Sequence, residues 1–214
     1  MPTVAVSKRS PSAHARDPQR TRDRILAAAL AEFSAHGFAG ARVARIARRA
    51  RVNKRMLYHY FGNKEDLFRE IFDRKLRERA GWITEAPADL GASLRYWFAM
   101  ACEDSDWIRL SQWEALGLGE DPVIQETERR ASLARALDDL RDRQRRGLLP
   151  DLDAGHLLLA ILGLVAYPQA FPQVTRMVTG RSASDPVFHK ERAEFLQQFS
   201  DALGPKRAAA GRRA

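Results

Sequence analysis

Between residues 42 and 64 the chain places Arg42, Arg45, Arg48, Arg49, Arg51, Lys54, Arg55 and Lys64 around Tyr58, His59 and Tyr60. Guanidinium and ammonium groups donate hydrogen bonds to phosphate oxygens and to base edges, and tyrosine hydroxyls and backbone N–H groups donate to phosphates. The chemistry open to such a set is recognition of a polyanion. Net charge points the same way. The 214 residues carry 36 Lys+Arg against 27 Asp+Glu, yet residues 1–60 hold 13 basic and 3 acidic side chains and the remainder 23 and 24. All of the positive excess therefore lies near the N-terminus. A field this one-sided attracts nucleic acid first and an anionic membrane surface second. A solvated basic face with a flexible arm would give the same balance, so the elements that carry these residues must decide.

Those elements read as helices throughout, with no period-two stretch of strand length. Residues 1–16 hold two prolines and no periodicity, and read as a flexible basic arm. Asp17-Pro18 is a cap followed by proline in the first helical position, and Ile25, Ala28, Ala29 and Phe33 hold a helical stripe that Gly37 should end. A short helix follows with Val43, Ile46, Ala47 and Ala50 inward. Asn53 opens a third, with Leu57 and Phe61 inward, and Asn63 opens a fourth that runs to about Glu85, with Asp66 at capping-box spacing. Further helices are predicted near 88–102, 106–117, 122–146, 152–167, 172–179 and 186–203. Asp121-Pro122 and Asp185-Pro186 read as starts, Gly147 and Gly204 as stops. Residues 204–214 read as a basic disordered tail.

Two short helices joined by Ala50–Asn53, after one packing helix and before a capped one, describe a helix-turn-helix unit over residues 17–62. Burial of Val43, Ile46, Ala47, Val52, Leu57 and Phe61 fixes the angle. The start of the third helix, with Lys54, Arg55, Met56, Tyr58 and His59, is then free to enter a major groove. Arg42, Tyr60 and Lys64 are placed for phosphates, and the N–H groups that open the fourth helix can share one with Lys64. Residues 63–203 form a larger helical unit. The segment from Asp151 to Tyr167 is apolar almost all round, and Phe188, Phe195, Phe199 and Leu203 fall on one stripe of the last helix. A second copy of the chain is the economical cover for both.

These residues resemble the DNA-binding domain of TetR-family transcriptional regulators. Three patterns carry the resemblance: IL-AA--EF---G from Ile25, IA--A-V from Ile46, and LYHYF-NKEDL from Leu57 to Leu67. Downstream, RRGLLPDLDAGHLLLAILGLV and YPQAFPQ are similar to a late segment of many members, less specifically. The resemblance implies an all-α homodimer that binds a double-stranded DNA operator and carries a C-terminal ligand-binding and dimerisation domain. Its effector pocket would draw on Trp82, Trp97, Met100, Trp107 and Trp113, which a plain helical core would equally use. The sequence departs from the family at Ala41 and Arg42, where Ser or Thr usually caps the second helix, and at Arg51, where Gly is common. A left-handed Arg51 costs on the order of 1 kcal/mol.

Other chemistry finds little support. There is no G-x-S-x-G, phosphate-binding glycine loop or HExxH, and the histidines at 14, 36, 59, 156 and 189 are scattered, so no enzyme, metal site or cofactor is expected. His156 has only Asp151 and Asp153 near ligand spacing and reads as a packed or interface residue. Cys102, beside Glu103, Asp104 and Asp106, cannot form an intrachain disulfide and makes a poor nucleophile. The longest apolar run, Leu157 to Tyr167, is about half of a bilayer span, and no signal peptide is evident, so the expectation is a cytoplasmic chain with no membrane partner. A basic protein that binds membranes or acidic partners without sequence preference is the competing reading.

Overall fold

The computed structural model describes residues 17–119 and 121–203, apart from the side chains of residues 83 and 84. The arm over 1–16, the tail over 204–214 and the Gly204 stop lie outside the described residues. Every regular element among those described is a helix: α1 (Pro18–Gly40), α2 (Val43–Arg49), α3 (Lys54–Phe61), α4 (Lys64–Glu85), α5 (Leu90–Glu103), α6 (Ser105–Leu118), α7 (Glu126–Arg145), α8 (Ala154–Ala170), α9 (Pro172–Thr179) and α10 (Pro186–Leu203).

The N-terminal core gathers the inward stripes of α1 to α4. Ile25, Phe33, Ile46, Leu57, Leu67 and Phe72 are sealed from solvent. This core does not stop at residue 62. It continues through Phe68, Ile71 and Phe72 of α4 and takes in Leu110 of α6. Two further clusters hold the rest: Leu94, Phe98, Val165, Phe188 and Leu196 join α5, α8 and α10, and Leu140, Leu149 and Leu157 join the α7 end to α8.

At Gly37 the left-handed backbone (φ 64°) breaks α1, as expected, but one more turn follows to Gly40. The Trp113 ring of α6 lies against this break, with ring carbons 2.9 Å from where a Cβ would stand. Just before the break, the Ser34 carbonyl accepts hydrogen bonds from Arg109 Nε (3.0 Å) and Trp113 Nε1 (3.2 Å). Together these contacts bind α6 to α1.

Two expectations for the second unit need correction. The α7 helix starts at Glu126, not after Asp121-Pro122. The Ile124 N–H is taken by buried Glu114 of α6 at 3.3 Å, Ile124 packs on the N-terminal core, and Gln125 turns left-handed (φ 54°) before the helix begins. A tertiary acceptor thus overrides a local start signal. The α8 helix also runs past Tyr167, through Pro168, to Ala170. Pro168 has no N–H to offer the Leu164 carbonyl one turn earlier. Arg192 of α10 supplies that donor at 2.7 Å. Pro172 deprives the Pro168 carbonyl in the same way, and the buried Thr175 hydroxyl donates to it at 3.1 Å. Of the α10 stripe, Phe188 is buried in its own chain and Phe195 is exposed.

Candidate nucleic-acid interface

The reading unit is built on caps. Asn53 accepts the Met56 N–H at 2.7 Å and so fixes where α3 begins. Asn63 accepts the Asp66 N–H at 2.7 Å and donates its amide to the Asp66 carboxylate at 2.7 Å, which closes the box the spacing predicted. No side chain of residue 42 caps α2. Glu32 does the work instead, from one turn before the Gly37 break. Its Oε1 accepts the Arg42 N–H at 2.9 Å and Arg45 Nε at 2.6 Å. Burial pushes the Glu32 carboxyl up, but the bonds from Arg42 and Arg45 outweigh it and hold the group below its ordinary value. Sequence reasoning missed this role. The signal was Glu-Phe within the IL-AA--EF pattern, an acid on an otherwise apolar face.

Between α2 and α3 the chain closes a Schellman turn. The Val52 N–H bonds the Ala47 carbonyl at 3.0 Å and the Arg51 N–H bonds the Arg48 carbonyl at 3.1 Å. That motif requires a left-handed residue in the place Arg51 occupies, and Arg51 adopts φ 55°. A side chain there costs roughly 1–2 kcal/mol, so the strained alternative foreseen for this position is the one realised.

Arg42, Lys54, Arg55, Tyr58 and His59 are exposed on this unit, while Met56, Tyr60 and Lys64 are half-buried. Tyr60 packs on the edge of the core, and Lys64 Nζ rests 4.6 Å over the Phe38 ring. Among the described residues no carboxylate stands within ion-pair distance of Arg42, Arg48, Arg49, Arg51, Lys54, Arg55 or Lys64. Elsewhere arginines are commonly paired, as Arg129 with Glu114 at 2.6 Å and Arg143 with Asp139 at 2.8 Å. The unpaired cations lie on one continuous piece of chain from α2 through α3 to the first residue of α4, a positive surface ready for phosphates.

The five aromatic and sulfur residues assigned to a pocket divide between two places. Trp97 packs on the α5–α8–α10 cluster beside Tyr96 (ring centroids 5.4 Å apart), and Met100 is half-buried on the same helix. Trp107 sits on the N-terminal core, edge-on to Phe72 at 5.8 Å, and Trp113 seals the Gly37 break. Trp82 and Trp107 both take the Arg79 guanidinium on a face, at 5.4 and 4.9 Å, and Arg129 lies over Trp107 at 5.2 Å. Lys75 pairs with buried Asp104 at 2.7 Å beside them. The seam between α4, α6 and α7 is therefore charged as well as aromatic, which four tryptophans alone did not suggest. His156 is exposed, and Cys102 accepts a bond from Gln169 at 3.2 Å while burial pushes its thiol up.

Comparison with known proteins places this geometry. Residues 25–71 match the family described as bacterial regulatory proteins, tetR family, and residues 89–200 match the tetracyclin repressor-like C-terminal domain. The chain is 35% identical over 167 residues to the HTH-type transcriptional repressor SCO4008 of Streptomyces coelicolor, covering 78% of this chain and 87% of that one. The HTH-type transcriptional repressor NicS of Pseudomonas putida is 45% identical, but over only 65 residues, 30% of this chain and 31% of its own. Among solved structures, the transcriptional regulator SCO4942 of Streptomyces coelicolor superimposes with a TM-score of 0.69 at 33% identity, over 86% of this chain and 98% of that one.

Proposed function

Since the chain belongs to the TetR family of bacterial regulatory proteins and is a DNA-binding regulator of that kind, we propose that it acts as a homodimeric repressor released from a palindromic operator by a small effector. The observation that carries the DNA side is the capped α3, which offers exposed Lys54, Arg55, Tyr58 and His59, with Lys54 and Arg55 unpaired among the described residues. In this reading Lys54, Arg55, Met56, Tyr58 and His59 meet the major groove, and Arg42, Tyr60 and Lys64 hold phosphates.

Pairing is supported by apolar side chains left open on α8 and α10. Leu159 is 65% exposed, Tyr167 48% and Phe195 44%. Among the described residues no single helix is long and apolar enough to cross a membrane, and although α8 and α9 together would reach that length they meet at 88°. A second copy is the occupant this surface fits. Two-fold pairing sets the two α3 helices about one DNA turn apart, so the operator is a palindrome.

Release follows from the joint between the units. The first half of α4 is part of the reading core, while Arg79 and Trp82 at its far end belong to the seam with α6 and α7. An effector that prefers one arrangement of that seam tilts α4 and changes the spacing of the α3 pair. Couplings of this kind are about 1–3 kcal/mol and reciprocal. The stacked Trp82, Arg79 and Trp107 favour a planar or aromatic effector. Sequencing genomic fragments retained by the protein tests the reading. Inverted repeats with half-sites one turn apart are expected; retention without a shared motif, or a monomer by light scattering at micromolar concentration, would refute it.

A further inference from the structure

Arg51 differs from the other cations of the reading unit in its backbone, which is left-handed. Arg48 and Arg49 lie in the last turn of α2, where positive charge offsets the helix dipole. Arg51 occupies the left-handed position of the turn, which glycine fills without strain, and its exposed side chain makes no hydrogen bond or ion pair among the described residues. The position sits two residues before the Asn53 cap, at the end of α3 that enters the groove. Strain that no contact within the chain repays points to a partner outside it. We infer that Arg51 is a DNA-backbone contact: its guanidinium binds a phosphate that flanks the half-site, and the strained turn is kept for that bond. Lying ahead of α3 and not on it, Arg51 meets the phosphate rail and not a base edge, so it adds affinity on any sequence and no preference. The inference rests on the DNA-binding reading above.

The test uses the full chain and a labelled short duplex of random sequence, titrated by anisotropy across a salt series, with thermal midpoints measured alongside. R51G relieves the turn and removes the charge, whereas R51K keeps both. The R51G midpoint should rise by about 2–4 °C. Its plot of log affinity against log salt should become shallower by about one per bound subunit, a loss of roughly tenfold per contact near 0.1 M salt. R51K should keep the native slope and the native midpoint. An R51G slope equal to the native one, an R51K slope that falls as far as that of R51G, or an R51G midpoint below the native one overturns the inference alone. A native chain that binds neither this duplex nor any genomic fragment overturns the DNA-binding reading as well.

Discussion

Replacing Glu32 by Ala removes the acceptor that starts α2, and the loss can be sized from its two bonds. The Arg42 N–H bond at 2.9 Å joins a backbone donor to a buried carboxylate; such a bond is worth about 1.5–3 kcal/mol. Arg45 contributes less. Its side chain is 33% exposed and keeps the Gly40 carbonyl at 3.0 Å, so losing the ion pair costs about 0–1 kcal/mol. E32A should therefore lose roughly 2–4 kcal/mol in urea unfolding followed by circular dichroism. E32Q keeps an oxygen for Arg42 and should lose about 1 kcal/mol. Adding R42S to E32A supplies a hydroxyl cap of the kind usual in the family and should return about 1 kcal/mol, more than R42S gives in the native background. Acid adds a check. The folded Glu32 carboxyl titrates below its unfolded value, so its contribution is complete above the ordinary carboxylate range and disappears as pH falls through the folded value. The gap between native and E32Q should close on that side and stay constant toward neutrality. An E32A protein within 0.5 kcal/mol of native, set against the roughly 2–4 kcal/mol expected, would refute the capping role.

R192L leaves the Leu164 carbonyl without a donor and should cost about 1–3 kcal/mol in urea unfolding; in a P168A background, where residue 168 regains its N–H, the same change should cost about 1 kcal/mol less. G37A forces a Cβ into the Trp113 ring at a left-handed position and should lower stability by about 2 kcal/mol while altering tryptophan emission; an unchanged spectrum and midpoint would contradict the packing. R55A should relax sequence preference in a selection from random duplexes, and K64A should weaken all sequences about equally; intact operator affinity in both would contradict the docking geometry.

What the sequence revealed were the features that are local. Asp17, Asn53 and Asn63 each bond an N–H two or three residues ahead, so their types and spacing suffice to place α1, α3 and α4. The turn at Arg51 was legible for the same reason. Features that join distant stretches were not. Glu32 caps a helix ten residues away, Glu114 intercepts Ile124 and delays α7, and Arg192 lets α8 run through a proline that usually ends a helix. The tryptophans illustrate the limit best. Their spacing suggests one inward stripe, but Trp113 stays exposed over the Gly37 break, and Trp97 and Trp107 serve different clusters, which depends on how α5 and α6 lie against α8 and α4.

The shared core also bears on how such a regulator can be recombined. Leu110 is as sealed as any residue of α1 to α3, and the Trp113 ring lies directly against the break in α1 at Gly37. A fragment cut after residue 62 would take Leu67, Phe68, Ile71, Phe72 and Leu110 out of the cluster that buries Ile25, Phe33 and Leu57. The reading head is consequently not a detachable module. A chimera that grafts it onto another sensor domain must bring the first half of α4 with it, and must rebuild on the new α6 a leucine, an indole and a guanidinium matching Leu110, Trp113 and Arg109.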